Sequence, residues 1–222
     1  MTENVLAMMQ KQMVEIIGLH AFHAREHLGK DEIDARVLET MVQVPRHEFV
    51  PPELVAYAYA DQPLPIGYNK TTSQPFIVAL MTDLLGVRKD DRVLEIGTGL
   101  GYHAAVLATL GARVFSVEII EELATQASRK LKGIGLSAVS TKIGNGEYGW
   151  PEHGPFERIL VCAASELIPA PLLGQLKPGG AMVVPTGVAE AQVLTLVEKA
   201  ESGKISVREI MPVRFALLET AS

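Results

Sequence analysis

The stretch VLEIGTGLGY, residues 93–102, constrains the fold more than any other part of the chain. Its first four residues form an apolar run typical of a buried strand, and glycines follow at alternate positions from Gly97 to Gly101. Glycine lets the backbone turn sharply and approach a ligand because it has no Cβ. A helix that starts there directs free N–H groups at a ligand above the strand end. The stretch therefore predicts a nucleotide-type site at the carboxyl end of a parallel strand.

The spacing of these glycines narrows the class of cofactor. A dinucleotide fingerprint is G-x-G-x-x-G, but Tyr102 occupies the place of its third glycine. Glu95 lies two residues before the first glycine, and this pattern resembles the first motif of S-adenosylmethionine (SAM) methyltransferases. A second acid should end the next strand and bind the ribose hydroxyls, and Glu118 lies about 20 residues on. We therefore predict SAM binding by Glu95, Gly97, Thr98, Gly99, Gly101 and Glu118 rather than an ordinary tight turn.

Composition and charge exclude several functional classes. The hydrophobic content of 48% allows a sizeable core, but no apolar run approaches the roughly 18 residues of a membrane span. We expect no signal peptide, because the first residues lack a basic start followed by an apolar core. One cysteine excludes an internal disulfide and suits a reducing compartment. The net charge of -6 disfavours a generic nucleic-acid binder. We expect a cytoplasmic protein that binds neither membranes nor nucleic acid.

Hydrophobic periodicity predicts an α/β fold. Two amphipathic helices over residues 4–19 and 31–44 precede an irregular segment at 45–75 and a helix at 76–86. Strands and helices then alternate, which implies a parallel sheet covered on both faces; the strands are predicted at 92–96, 113–117, 138–143, 157–162 and 181–184, and the helices at 101–110, 120–132 and 169–176. Residues 192–199 and 205–218 are predicted to close the sheet as an antiparallel pair. We expect residues 1–75 to pack on a SAM-binding domain formed by residues 76–222.

Several further stretches resemble one family in order and spacing. They are VPRHEFVP (44–51), AYADQPLPIG (58–67), TTSQP (71–75), GWPEHGPFE (149–157), IPAPLLGQLKPGG (168–180) and VRF (213–215). Together they resemble protein-L-isoaspartate O-methyltransferases over nearly the whole chain after residue 40. The resemblance implies a Rossmann-like methyltransferase fold with added N-terminal helices, and a monomeric enzyme. It also implies methylation of the misplaced carboxylate of isoaspartyl residues in damaged proteins, with D-aspartyl residues as an additional acceptor.

The resemblance also assigns site residues. Ser73 matches the family's active-site serine, whose hydroxyl can orient one acceptor oxygen. Lys70, Thr71, Thr72 and Gln74 would shape the same substrate-side loop, and Asn145 and Gly146 would lie near the adenine. A carboxylate acceptor has an ordinary pKa near ~4 and is already ionised at neutral pH, so this chemistry needs no general base.

Four positions depart from the family pattern. Lys70, Thr72 and Asn145 stand where glutamine, isoleucine and aspartate are usual, and Ala216 replaces a valine. Lys70 either attracts the acceptor carboxylate or extends into solvent. These departures leave two alternatives open: the same fold and SAM site with another carboxylate acceptor, or a SAM-binding protein without catalysis.

Three other features suggest chemistry but have simpler interpretations. His20, His23 and His27 lie close in sequence, but no matching ligand set accompanies them, so we expect a solvated helix end and no metal site. We interpret Cys162 as a buried strand residue rather than a nucleophile. His103 is expected to cap or pack rather than transfer protons.

Overall fold

A computed structural model describes residues 1–189 and 191–220 of the chain. Within these residues the α-helices are α1 (Glu3–His23), α2 (Arg25–Leu28), α3 (Ala35–Gln43), α4 (Pro75–Leu85), α5 (Tyr102–Thr109), α6 (Glu121–Gly133) and α7 (Ala170–Gln175). Short 3₁₀ helices span Arg46–Phe49, Pro52–Tyr57, Gly146–Tyr148 and Pro151–His153. None of the helices in the described ranges combines the length and the apolar character needed to cross a membrane.

The strands form a hairpin and one large sheet. They are β1 (Leu64–Gly67), β2 (Lys70–Thr72), β3 (Arg92–Ile96), β4 (Arg113–Glu118), β5 (Ser140–Ile143), β6 (Phe156–Val161), β7 (Leu176–Val188), β8 (Ala191–Lys199) and β9 (Ile205–Val213). The described strands of the large sheet follow the order β5-β4-β3-β6-β7-β8-β9. Pairing is parallel from β5 to β7 and antiparallel from β7 to β9. The predicted Rossmann-like fold, with a mostly parallel sheet and an antiparallel C-terminal end, is confirmed.

The N-terminal helices are confirmed with shifted bounds. The first extends to His23, four residues beyond its predicted end. The second predicted helix corresponds to α3. It begins at Ala35 because Asp34, rather than Asp31, caps it: the Asp34 side chain accepts a hydrogen bond from the Arg36 N–H. Met13, Ile17 and Met41 are fully buried in one cluster with α4. The added helices therefore share a continuous core with the sheet domain.

Two predicted boundaries in the C-terminal half are wrong. The turn expected at residues 178–180 lies within β7, which begins at Leu176. The pairing with β6 shifts register there: Phe156 pairs with Leu176, but Arg158, two residues on, pairs with Ala181, five residues on. The last strand ends at Val213 rather than at residue 218. The residues that follow form a separate segment over the carboxyl edge of the sheet.

The segment predicted as irregular contains the hairpin of β1 and β2. Tyr68 and Asn69 form its two-residue turn with φ values of 54° and 55°. Positive φ at both positions is the signature of a type I′ turn, whose twist matches that of a hairpin. The usual sequence signal for this turn is Asn-Gly or Asp-Gly, so Tyr-Asn gave no indication of it.

Candidate active site

A cavity of about 800 Å³ lies at the carboxyl edge of the parallel strands. In-register pairing aligns the ends of β3, β4 and β6, since Ile96 pairs with both Val117 and Val161. The end of α1, the β1–β2 hairpin and the segment after β9 supply the remaining walls. Consecutive parallel strands thus bring together loops that are distant in sequence.

The glycine loop forms the floor of this cavity. Gly97, Gly99 and Gly101 have φ values of 89°, 56° and 97°, which other residues rarely adopt. The Glu118 carboxylate holds the loop, because Oε2 accepts from the Gly99 N–H at 2.8 Å and Oε1 accepts from the Ile120 N–H at 3.0 Å. Glu118 lines the cavity, and each of its oxygens keeps a further lone pair for a hydroxyl ligand.

A buried polar chain supports the loop from below. Ser116 Oγ donates to the fully buried Glu95 carboxyl, and it lies 2.5 Å from Thr98 Oγ1. Burial raises the pKa of Glu95 to about 8, even though the hydrogen bond from Ser116 acts to lower this pKa. Glu95 is therefore mostly neutral at physiological pH, and it supports the loop rather than facing the cavity.

Cys162 and His103 form a neutral pair beside this chain. Thr82 Oγ1 donates to the Val78 carbonyl, so it accepts from His103 Nε2–H at 2.8 Å. His103 Nδ1 is then an acceptor and lies 3.8 Å from Cys162 Sγ. Burial lowers the pKa of His103 to about 3 and raises the pKa of Cys162. Neither group carries charge at neutral pH. His103 is buried, as expected of a packing residue. The buried strand position predicted for Cys162 is wrong, because Cys162 follows the last residue of β6, is only partly buried and lines the cavity.

The substrate-side loop supplies another part of the cavity wall. Ser73, Thr71 and Gln74 line the large cavity. Arg46, which is fully buried, donates from Nη2 to the Ser73 carbonyl at 2.8 Å and from Nε to the Ala58 carbonyl at 2.9 Å. This guanidinium fixes the backbone of the loop just where the serine hydroxyl is presented.

Asp61 fixes the next part of the loop. Its carboxylate accepts from the Phe76 N–H at 2.7 Å and from Gln74 Nε2 at 2.8 Å. It also pairs with His20 Nδ1 at 2.5 Å, and its side chain is almost fully buried. The carboxylate thus caps α4 from outside the helix and ties the loop to α1.

The histidines at the end of α1 differ from the prediction. A solvated helix end was expected, but His20 contacts Asp61, and both His20 and His23 line the cavity. Only His27 is exposed and away from the cavity wall. The reason is tertiary: the core contacts of α1 and α4 bring the last turn of α1 beside the substrate-side loop.

Lys70 neither extends into solvent nor points unpaired into the cavity. Its Nζ lies 2.5 Å from Glu219 Oε1, and both residues line the cavity. The pair joins the β1–β2 hairpin to the segment after β9.

The other predicted residues divide into two groups. Those that line the large cavity are Lys70, Thr71, Ser73, Gln74, Gly97, Gly99, Glu118 and Gly146, and Thr72 and Thr98 line a cavity of about 50 Å³ beside it. The structure brings neither Glu95, Gly101 nor Asn145 to the lining of these cavities. Gly101 packs against α6, where an added Cβ would lie 3.4 Å from Ala127.

The predicted adenine side is built by Gly146 rather than by the amide of Asn145. The Asn145 oxygen is engaged as a cap, accepting from the Glu147 N–H at 2.9 Å. A Cβ on Gly146 would lie 2.3 Å from Ile96 Cγ2, so only glycine fits against the end of β3. The short helix can therefore approach the cavity closely.

Sequence reasoning missed four residues of the site. Arg46 and Asp61 lie in motifs that matched the family, and a charged residue inside an apolar motif could have indicated them. His20 was predicted to lie at a solvated helix end. No local signal indicates Glu219, because its partner is 149 residues away.

Comparisons with known proteins identify related sequences. The profile of the family described as protein-L-isoaspartate(D-aspartate) O-methyltransferase (PCMT) matches residues 25–221. A protein of Polaromonas sp. (strain JS666 / ATCC BAA-500) named protein-L-isoaspartate O-methyltransferase 1 is 54% identical, with 100% of this chain and 94% of the relative covered. A protein-L-isoaspartate O-methyltransferase of Anaeromyxobacter dehalogenans (strain 2CP-C) is 52% identical, with 95% and 97% covered.

Solved structures share the fold. One, described as a protein-L-isoaspartate O-methyltransferase, superimposes with a TM-score of 0.79 at 27% identity, covering 96% of this chain and 66% of that one. A Plasmodium falciparum protein described as a putative member of the same class, in complex with S-adenosyl-L-homocysteine, gives a TM-score of 0.78. At 23% identity, with 96% of this chain and 99% of that chain covered, it supports the fold alone.

The buried carboxyl of Glu95 predicts a pH-dependent stability. Above its ordinary pKa of 4.5 the unfolded chain loses this proton, whereas the folded protein keeps it to about pH 8. The folded state binds more protons there, so the free energy of unfolding falls as pH rises, by at most about 1.4 kcal/mol per pH unit. Glu95→Gln removes the titrating group, and denaturant unfolding between about pH 6.5 and 8 should show a shallower fall.

The pH range of this measurement avoids interference from His103. That imidazole contributes an opposite slope only below its ordinary pKa of 6.5. The matched control is Glu209→Gln, since Glu209 is exposed on β9 and should leave the slope unchanged. Equal slopes for wild type and Glu95→Gln would contradict the neutral state assigned to the Glu95 carboxyl.

Proposed function

The chain belongs to the protein-L-isoaspartate O-methyltransferase family, and we propose from this that it methylates the free carboxylate of L-isoaspartyl residues in proteins, using SAM. The observation that carries the proposal is the cavity itself, because the glycine loop, Glu118 and Ser73 all line one volume. D-aspartyl residues, which the family description also names, are a second possible acceptor. Methylation would begin the repair of damaged proteins.

The lining of the cavity fits SAM. Glu118 offers carboxylate oxygens to a pair of ribose hydroxyls, and the glycine loop gives a ligand access to backbone groups. Gly146 packs directly against Ile96 without a side chain, and both residues line the cavity where we place the adenine ring. When bound, SAM supplies a methyl group that is already activated by its sulfonium.

The remaining chemistry falls to the acceptor side of the cavity. The Ser73 hydroxyl donates to one acceptor oxygen and leaves the other free to attack. Arg46 holds the carbonyl of Ser73 and Asp61 holds the N–H of Phe76 just after it, so the hydroxyl is held in place before substrate arrives. Burial of the acceptor under the segment after β9 excludes water and strengthens each polar contact.

The setting of the reaction is also part of the proposal. We place it in the cytoplasm, supported by the single cysteine, which suits a reducing compartment. Proteins and peptides rather than nucleic acids are the substrates, in keeping with the net charge of -6. The enzyme acts as a monomer, since one chain supplies the cavity walls described above. Residues 1–75 supply the acceptor side and residues 76–222 the cofactor side.

An isoaspartyl peptide and its aspartyl twin provide the direct test of this function. With labelled SAM, we expect methyl transfer to the isoaspartyl peptide and essentially none to the normal peptide, because only the former presents a displaced carboxylate. SAM binding without transfer to the isoaspartyl peptide would favour another acceptor. The absence of SAM binding would remove the methyltransferase assignment.

Glu118→Ala tests the ribose contact. We expect calorimetry to show SAM and S-adenosyl-L-homocysteine binding weakened by about 1–3 kcal/mol, since the ribose hydroxyls lose their acceptor. Wild type should bind NAD negligibly. Glu122→Ala, an exposed glutamate on α6, is the matched control. Unchanged affinity in a folded Glu118→Ala variant would exclude the ribose role.

Ser73→Ala tests the orienting hydroxyl. We expect a lower kcat, by about 10-fold for the loss of one hydrogen bond to a charged group, with SAM affinity nearly intact. Ser206→Ala on the exposed face of β9 should behave as wild type. Full turnover of Ser73→Ala at saturating peptide would refute the role, and loss of SAM binding would indicate collapse of the loop instead.

A further inference from the structure

One ion pair crosses the cavity between the acceptor side and the end of the chain. Lys70 Nζ lies 2.5 Å from Glu219 Oε1. Lys70 belongs to β2, three residues before Ser73, and its side chain is 20% exposed. Glu219 follows β9, and its side chain is 54% exposed. The cationic end of the pair is therefore held in the cavity wall, whereas the anionic end can return to water at little cost.

The segment that carries Glu219 has its own anchors. The Ala164 N–H donates to the Ala216 carbonyl at 2.8 Å, and the Leu218 N–H donates back to the Ala164 carbonyl at 2.7 Å. Farther back, the Gln192 side chain holds both polar groups of the Phe215 backbone. Because these bonds fix the segment to the sheet, Glu219 can change its side-chain conformation without the segment leaving the cavity.

The chemistry of this pair matches that of the reaction. Glu219 presents a carboxylate, the same functional group as the proposed acceptor, to an ammonium that lines the same cavity as the proposed orienting serine. We propose that Lys70 is a specificity-determining residue that receives the acceptor carboxylate, and that Glu219 occupies this ammonium until the acceptor displaces it. The inference rests on the proposed function, because it requires an anionic acceptor.

Charge makes the two carboxylates compete. Two anions on one ammonium repel each other, and a partly buried position weakens the screening that water would supply. An anionic acceptor gains the Lys70 contact and drives Glu219 into solvent, whereas a neutral group cannot replace the ion pair. The pair thus selects for anionic acceptors at the entrance to the site.

The same competition favours release of product. Methylation converts the acceptor from an anionic carboxylate into a neutral ester, which no longer forms an ion pair with Lys70. Glu219 then regains its partner, and the ester loses its principal electrostatic contact. Binding and release are therefore coupled to the change of charge that the reaction itself produces.

The test measures peptide affinity in Glu219→Gln, Lys70→Gln and the double variant. Binding of the isoaspartyl peptide is titrated in the presence of S-adenosyl-L-homocysteine, and kcat and KM are measured with SAM. Glu219→Gln should tighten peptide binding and lower KM by about 3-fold, the value of a modest ion pair. Lys70→Gln should raise both the Kd for the peptide and the KM by about 10-fold, as expected for a lost hydrogen bond between charged groups.

The double variant isolates the competition. In the Lys70→Gln background, Glu219→Gln should have no further effect, because no ammonium remains to be contested. SAM affinity should be equal in all variants, and Glu209→Gln should match wild type in every measurement. A Glu219→Gln variant with unchanged or weaker peptide binding would overturn the proposal, as would an equal gain in both backgrounds.

Two outcomes separate this inference from the function it rests on. If wild type binds the isoaspartyl peptide but does not methylate it, the proposed function fails, whereas the affinities of the variants still decide the competition. If wild type methylates the peptide and Glu219→Gln instead weakens SAM binding, the function stands. The Lys70–Glu219 ion pair then stabilises cofactor binding, and the proposed competition between Glu219 and the acceptor for Lys70 is refuted.

Discussion

The hydrogen bond from the Gly99 N–H to the Glu118 carboxylate joins two neighbouring parallel strands through the loop that follows the first of them. It forms only because β3 and β4 are in register, so that their carboxyl ends meet at one edge. The bond fixes a loop of positive-φ glycines at the place where we propose that the cofactor binds. The remaining walls of the cavity are arranged around this fixed floor.

The acceptor side is held in a different way. No regular secondary structure runs through residues 73–74, so buried charged side chains organise the backbone there. Arg46 donates to two backbone carbonyls and lies over the ring of Tyr102, and Asp61 accepts from one backbone N–H and one side-chain amide. These contacts offset part of the cost of burying the two charges. Such a loop stays fixed without pairing in a sheet, which suits the proposed role of this loop in receiving the carboxylate of an isoaspartyl residue.

Charge is distributed unevenly between these two regions. Beneath the glycine loop, Glu95 and His103 are buried and neutral, and the partly buried thiol of Cys162 beside them is also neutral. These groups add bulk and hydrogen bonds without a net charge. Around the acceptor, by contrast, His20, Lys70 and Glu219 lie at a half-open wall. The ionisable groups around the proposed acceptor position are therefore accessible to water, whereas the groups beneath the glycine loop carry no charge.

Local sequence determined the sheet strands, the helices between them, the glycine loop and the two acids at its strand ends. These depend on periodicity and on backbone constraints that act within a few residues. Tertiary structure alone decided that Glu95 lies below the loop, that His20 reaches Asp61 and that Lys70 meets Glu219. The contact of Glu95 with Ser116 joins residues 21 positions apart, and the other two contacts join residues 41 and 149 positions apart. The first depends on the pairing of β3 with β4, the second on the packing of α1 against α4, and the third on the segment after β9. No short-range pattern in the sequence carries that information, because each contact needs two distant parts of the chain to meet at one edge of the sheet.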